Sequence, residues 1–337
     1  MRQYHVPADA TAIDHLRMVE RPEPACGPGE VLLRVRAASL NFRDLNLVEG
    51  RRGPARPDGF VPCSDGAGEV VAVGAGVRRL KPGDRAVACF FQGWADGDIR
   101  AETMQTALGG ALDGILAERV ALAADALLPL PPGLSFEEGA TLPCAAVTAW
   151  HALVEKGGLA PGQTIVLLGT GGVSIFALQF AKAAGARVIL TSSSEEKLAA
   201  ARRLGADATI NYKATPDWDQ QVLALTGGVG ADHVVEVGGA GTLPRSLQAV
   251  RFGGRVSLIG VLTGAQPLAD PYPILRKSIV VQGIYVGSRA MQERMHRAIV
   301  QAGIKPVIDR VFPFEEAPAA YRYMKAAGHF GKIVIRM

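Results

Sequence analysis

Apolar and polar positions alternate through the first 125 or so residues, as in Val31-Leu32-Leu33-Arg34-Val35-Arg36 and Glu69-Val70-Val71-Ala72-Val73. Turn signals such as Lys81-Pro82-Gly83-Asp84 separate these runs, so the pattern predicts short strands with one buried face. Between Phe91 and Gly114 the periodicity is lost. That predicts a long surface loop of the kind that shapes a substrate site, with Phe91 and Trp94 as candidate lining residues and core packing or simple exposure as the competing reading for both. The pattern changes at Leu128-Pro129-Leu130-Pro131-Pro132, a proline-rich hinge, and Ser135 with Glu138 forms a capping box that opens a helix.

From Gln163 onward, continuous apolar runs alternate with helical segments. The predicted strands are Thr164–Leu168, Arg187–Thr191, Ala208–Asn211, His233–Val237, Arg255–Ile259 and Ile279–Ile284. Strands that are apolar on both faces, with helices between them, predict a doubly wound parallel sheet. After Ser288 come a helix through Gln301, a second helix near Ala317–Ala327 and a terminal strand Lys332–Arg336. These last residues are too few for a domain and are expected to complete the first one. The fold class is therefore α/β, with a mainly-β domain over residues 1–127, completed by 288–337, and a doubly wound domain over 128–287.

Composition sharpens this picture. The chain has 337 residues and a net charge of +4, with 48% hydrophobic and 20% charged residues. No clustered positive surface is evident, so no nucleic-acid partner is expected. The basic runs Arg51-Arg52 with Arg56 and Arg78-Arg79 with Lys81 read as solvated loop charges. Gly157–Ala181 lacks charge, but Pro161-Gly162 and Gly169–Gly172 interrupt it, so no membrane span is expected. The four cysteines form no CxxC pair and the N-terminus carries charges throughout, which fits a reducing, cytoplasmic setting. Glycine is in excess at 40 residues, which points to many tight turns.

One of those turns carries chemistry. Thr164–Leu168 runs into Gly169-Thr170-Gly171-Gly172-Val173-Ser174 and then an apolar helical segment, Ile175–Ala184. A strand, a glycine turn and a helix N-terminus bring backbone N–H groups to a dinucleotide pyrophosphate. The third glycine position holds Ser174, a departure from the Gly or Ala expected. The next strand ends in Leu190-Thr191-Ser192-Ser193-Ser194 rather than in an acid. Ser193 and Glu196 form a capping box that would place Glu195 and Glu196 in the first helical turn, whereas Ser192, Ser193 and Lys197 suit a ribose 2′-phosphate. The cofactor expected is NADP(H), with NAD(H) the alternative; Lys197 has a competing role as a solvated helix charge.

These residues and several further motifs resemble the medium-chain dehydrogenase/reductase superfamily, in its zinc-independent, quinone-oxidoreductase-like branch. The resemblance spans essentially the whole chain. It rests on Ala38–Asp44, Asp65–Gly74, Lys81–Val87, Leu142–Trp150, the glycine turn, Leu204–Asp207 and Phe330–Ile335. It implies a GroES-like catalytic domain, a Rossmann domain and a homodimer formed through the Rossmann sheet edge. It also implies cofactor contacts from Thr148 at the nicotinamide, Thr170 to Val173 at the pyrophosphate and Tyr212 at the adenosine end. Gly238, Gly239, Gly260, Val261, Gly287, Ser288 and Lys332 complete the implied cofactor set. Tyr212 has surface packing as a competing role.

Zinc-dependent members of that family take ligands from a Cys, a His and a second Cys or Asp. Here the matching positions are Asn41, Ser64 and Cys144, which predict no metal site. Without a Lewis acid, reduction of an activated acceptor is the expected reaction, with hydride passing from NADPH to a quinone, an enone or a reactive carbonyl. Asn41 is expected to hold the nicotinamide or acceptor oxygen and Ser64 to donate to that oxygen; turn-capping is the competing role for both. Two alternatives stay open: a metal-free alcohol or aldehyde dehydrogenase, and an NADPH-binding sensor or structural protein with little catalysis.

Overall fold

The strands expected from the alternating runs are present, and most are longer than the runs that announce them. The computed structural model describes residues 1–51, 56–264, 266 and 269–337; Arg52 of the first basic run lies outside them. The described chain divides into two units, Met1–Val147 with Val286–Met337, and Thr148–Tyr285.

The first unit begins with an antiparallel pair, β1 (Arg2–His5) and β2 (Arg17–Glu20). It continues with β3 (Glu30–Leu40), α1 (Phe42–Val48), β4 (Asp65–Val73), β5 (Arg85–Ala88), α2 (Ala101–Met104), β6 (Arg119–Ala123), β7 (Leu127–Pro129) and α3 (Phe136–Ala140). A wide-turned stretch, Leu142–Ala146, leads into α4 (Val147–Trp150). Val31, Leu33, Leu45, Ile115 and Tyr321 are among the residues of its core.

The second unit contains β8 (Thr164–Leu168), α5 (Gly172–Ala183), β9 (Arg187–Ser192), α6 (Glu195–Arg203), β10 (Ala208–Asn211), α7 (Trp218–Leu225), β11 (Ala231–Glu236), α8 (Leu243–Ala249), β12 (Val250–Leu258), α9 (Tyr272–Arg276) and β13 (Val280–Gly283). Its six strands run in the order β10-β9-β8-β11-β12-β13, and every pairing is parallel. This is the doubly wound order, with a topological switch point between β8 and β11 where ligands bind outside the carboxyl ends of the strands. The core beneath it includes Val166, Ile189, Val222, Val234 and Val256.

The chain then returns to the first unit through α10 (Arg289–Ala302), β14 (Ile308–Pro313), α11 (Ala317–Lys325) and β15 (Lys332–Arg336). β15 lies antiparallel to β3, and the strand order there is β14-β15-β3-β4-β5-β7, with β6 also paired to β3.

Two expectations change. The proline run is not the boundary between units, because Leu128 pairs with Val87 of β5 and Pro129 ends an edge strand, where a missing N–H costs no ladder bond. The division falls instead at Val147/Thr148 and Tyr285/Val286. Phe91 and Trp94 are buried, at 2% and 4% exposure, and their rings meet edge-on at 5.7 Å. The Trp94 indole N–H donates to the Gly97 carbonyl. The aperiodic segment is thus pinned by aromatic packing, and these two side chains serve its interior. The Ser135–Glu138 box is present, with Ser135 N–H donating to Glu138 Oε2 at 2.7 Å and Glu138 N–H to Ser135 Oγ at 3.1 Å.

Candidate functional site

In the first unit, strand register draws polar side chains together. β3 lies between β15 and β4, antiparallel to both. Ile333 is paired with Leu40, so Lys332, one residue earlier, lies across from Asn41 at the end of β3. Asp65 opens β4 opposite Ser39, one residue after Ser64. Three strand ends therefore deliver Lys332, Asn41, Ser64 and Asp65 to one place.

The bonds between them form a chain. Lys332 Nζ donates to the Leu40 carbonyl at 2.5 Å and to Asn41 Oδ1 at 2.6 Å. An ammonium has only donors, so it fixes the amide with its oxygen toward Lys332. The other edge of the amide then faces Ser64, and Asn41 Nδ2 lies 3.4 Å from Ser64 Oγ. The Ser64 hydroxyl donates to Asp65 Oδ1 at 2.7 Å, and the Cys144 N–H donates to Asp65 Oδ2 at 3.1 Å. Ser64 and Asp65 are wholly buried, Lys332 is 3% exposed and Asn41 is 9% exposed. Of these four side chains, Asn41 reaches furthest toward the surface of its unit.

A second acid supports the network from below. Asp44 Oδ2 accepts the Asn41 N–H at 2.8 Å, which caps α1 and orients Asn41. Burial pushes the Asp44 carboxyl up to about 6, against the opposing pull of Arg43. Burial also raises Asp65, and Lys332, Asn41 and Ser64 pull it back. Cys63, just before Ser64, is fully buried in a left-handed conformation, φ 69°, with its thiol 3.4 Å from the Tyr321 hydroxyl. A non-glycine residue held there marks a backbone constrained by its surroundings.

The second unit builds a different site at its switch point. Gly169 turns the chain after β8 in a left-handed conformation, φ 73°, and Gly171 caps the N-terminus of α5 without a side-chain acceptor. A Cβ at Gly169 or Gly171 would meet no atom of the described residues within 4 Å. The space in front of this turn is open to a ligand, and Thr170, Gly172 and Val173 complete the turn. The Ser174 hydroxyl donates to the Leu168 carbonyl at 2.7 Å, so a serine fits where a smaller residue was expected. Thr148 is 3% exposed, and its hydroxyl has no hydrogen-bond partner among the described residues. An orphaned buried hydroxyl and a glycine turn at the head of a helix fit a nicotinamide dinucleotide.

Beyond β9, Ser192 Oγ accepts the Ser194 N–H, and Ser194 Oγ in turn accepts the Lys197 N–H. The helix cap is thus Ser194 rather than Ser193, because α6 begins one residue later than the capping box predicted. Glu195 and Glu196 remain in its first turn, and Lys197 shares that turn. Tyr212 donates its N–H to the Ser192 carbonyl at 3.1 Å, which brings those two positions together, and its ring is 41% exposed.

The turn after β11 is stapled by Glu236, a residue that no sequence motif singles out. Its Oε1 accepts the N–H groups of Gly238 and Gly239 at 2.6 and 3.0 Å and the Thr242 hydroxyl at 2.6 Å; Oε2 accepts the Ser246 hydroxyl. Thr263 then ties Gly238 to the loop after β12 that carries Gly260 and Val261. A lone acid at the end of an apolar run was the only signal for Glu236.

Three implied cofactor residues have partners within the protein. Ser288 is 1% exposed and caps α10 through Met291 N–H at 3.3 Å. A Cβ on Gly287 would come within 2.6 Å of Val147, so that glycine serves packing. Lys332 is committed to Leu40 and Asn41. The Ser64 hydroxyl, expected to donate to the acceptor oxygen, donates here to Asp65.

The positions matching family zinc ligands do not fit that metal. Asn41 Oδ1 already receives an ammonium and Ser64 donates to a carboxylate, which leaves Cys144 alone among the three with a side chain of the zinc-binding kind. Zinc takes thiolate, imidazole or carboxylate ligands. No group of three His, Cys, Asp or Glu side chains suited to a metal occurs among the described residues.

Residues 27–132 match the alcohol dehydrogenase GroES-like domain and residues 172–301 the zinc-binding dehydrogenase family. The chain is 44% identical to a zinc-type alcohol dehydrogenase-like protein of Schizosaccharomyces pombe over 99% of both chains. It is similar to a solved NAD-dependent alcohol dehydrogenase, with a TM-score of 0.92 and 34% identity over 100% of both chains. A crotonyl-CoA carboxylase/reductase in complex with NADP shares 25% identity at a TM-score of 0.86, covering 100% of this chain and 94% of that one.

Proposed function

The chain belongs to the medium-chain dehydrogenase/reductase superfamily and is an oxidoreductase, and from that premise we propose a zinc-independent, NADP(H)-dependent reductase of activated acceptors: quinones, enones or reactive carbonyls. The observation that carries this reading is the Asn41 amide, held between the Lys332 ammonium and the Ser64–Asp65 pair where a metal-dependent relative would place ligands. A bound nicotinamide dinucleotide supplies the hydride. The glycine turn at Gly169–Val173 holds its pyrophosphate, Thr148 gives its hydroxyl to the nicotinamide amide, and the Gly238–Gly239 and Gly260–Val261 turns border the same switch point. Ser192, Ser193, Lys197 and Tyr212 form the adenosine end, and the absence of an acid at the tip of β9 favours the 2′-phosphate.

With no metal to polarise a carbonyl, Asn41 supplies an N–H to the oxygen on which charge develops, and the fixed amide costs no reorganisation at that moment. Acceptors whose electrons are already withdrawn suit so modest an electrophile. The NADP-bound crotonyl-CoA carboxylase/reductase supports this class. Similarity to an NAD-dependent alcohol dehydrogenase favours the second reading, metal-free alcohol oxidation. The position of β13 at the edge of its sheet among the described residues, with Val280 on that strand 43% exposed and Leu275 of the preceding α9 77% exposed, supports a homodimer formed through that edge.

The test is oxidation of NADPH and NADH by cyclohexenone, benzoquinone and benzaldehyde, with ethanol plus NADP+ as the reverse assay and metal content measured in parallel. We expect NADPH-driven reduction without stoichiometric zinc, and Asn41→Ala to lower kcat about 100-fold, the scale of removing one oxyanion donor. Better use of NADH, or turnover that needs zinc, overturns the proposal.

A further inference from the structure

Lys332 stands in a position that ordinary packing does not explain. An ammonium that is 3% exposed is costly to bury, and its two hydrogen-bond acceptors are both neutral: the Leu40 carbonyl and Asn41 Oδ1. The two nearby acids take their hydrogen bonds elsewhere: Asp65 accepts from the Ser64 hydroxyl, and Asp44 accepts the Asn41 N–H. A lysine whose purpose was ion pairing would bond a carboxylate directly. This one bonds an amide oxygen, and the amide stands between cation and anion: Lys332, Asn41, Ser64, Asp65 in sequence.

We propose that Lys332 is a positioning residue that locks and polarises the Asn41 amide, doing through Asn41 the work of the fixed cation that metal-dependent relatives hold nearby. The cation at Oδ1 draws electron density from the amide, which makes each N–H on Nδ2 a stronger donor. One of those hydrogens faces Ser64, with Asp65 behind it, and the other is the one the proposal turns toward an acceptor. The Ser64 hydroxyl, already donating to Asp65, can only accept from Nδ2, so it cannot turn the amide round. Amide orientation and donor strength are thereby set before a substrate arrives. The inference rests on the reading that Asn41 faces the acceptor.

The chain has three asparagines, Asn41, Asn46 and Asn211, which makes direct observation practical. In protein labelled with 15N-asparagine, the signals lost in Asn41→Asp identify the Asn41 side-chain NH2. We expect two sharp, exchange-protected resonances in the wild type, and their broadening and rapid exchange in Lys332→Met. In Lys332→Gln a neutral donor can still reach Oδ1, so the pair should stay resolved but shift upfield. Unchanged Asn41 resonances in both Lys332 variants overturn the proposal, with or without turnover.

Kinetics adds a second arm. Lys332→Met should lower kcat about 30-fold with NADPH affinity unchanged, and Lys332→Met with Asn41→Ala should be no slower than Asn41→Ala alone. Multiplicative losses in the double variant mean that Lys332 acts independently and overturn the proposal. If Asn41→Ala itself turns over normally, the reading of Asn41 fails instead, and the resonances still decide whether Lys332 holds the amide. Should Lys332→Met not fold, the resonances and kcat of Lys332→Gln decide alone: a wild-type result in both overturns the proposal.

Discussion

Both units place a buried carboxylate at the end of a strand, and they use it in opposite ways. Glu236 closes β11 and gathers four donors, all from within ten residues of itself and none of them charged. Asp65 opens β4 and belongs to a network whose members come from the chain's beginning, middle and end: Asn41, Cys144 and Lys332. The first is a local staple, complete once one turn forms. The second exists only when β15 lies against β3. The contrast extends to what lies nearby, since the glycine turn beside Glu236's loop faces open space, whereas the side chains of the Asp65 network are buried. A site for a large, invariant ligand can thus rest on local turns, while a site that tunes one amide needs long-range register.

Removing the local staple should have the largest effect. Glu236→Ala leaves two glycine N–H groups and two hydroxyls without their acceptor, and should cost about 4 kcal/mol of unfolding free energy in urea titrations. A loss below about 1 kcal/mol would show that water replaces the carboxylate and that the turn holds itself. Filling the open space comes next. Gly171 has an ordinary φ of −75° and nothing in front of it, so Gly171→Leu should leave the melting temperature unchanged. NADPH affinity, followed by nicotinamide fluorescence, should fall at least 100-fold, or about 2.7 kcal/mol. Unaltered affinity would put the pyrophosphate elsewhere.

The smallest effect probes the long-range network through pH. Because the folded Asp44 carboxyl is raised to about 6, above an unfolded value of roughly 4, the native state holds this proton more tightly. Stability from this group is therefore full below about pH 4, falls as pH rises to about 6, and is flat above. Asp44→Asn keeps an acceptor for the Asn41 N–H and should flatten that decline by about 2 kcal/mol, read from urea midpoints between pH 4 and 7. An unchanged slope would assign the titration to another group.

Sequence made local features legible and long-range ones much less so. The six parallel strands stood out because their apolar runs are continuous, and the glycine turn because its strand and helix flank it directly. Where three serines follow one another, propensity alone could not decide which caps α6, and the structure chose Ser194. The proline run looked like a hinge because edge strands and linkers tolerate the same residue. Lys332 was assigned to the cofactor by resemblance, and only the pairing of Ile333 with Leu40 reveals that its ammonium bonds Asn41. Glu236 was passed over because one acid after an apolar run also reads as an ordinary strand end.

The register of β15 also constrains how this chain can vary. Side chains along a strand alternate between faces, so one residue inserted or deleted in the turn around Gly328–Gly331 would carry the ammonium to the opposite side of the sheet. Backbone ladder bonds to β3 could re-form after such a slip, while Asn41 would lose its cation. Length changes in that turn are therefore expected to be rarer among functional descendants of this sequence than substitutions within it.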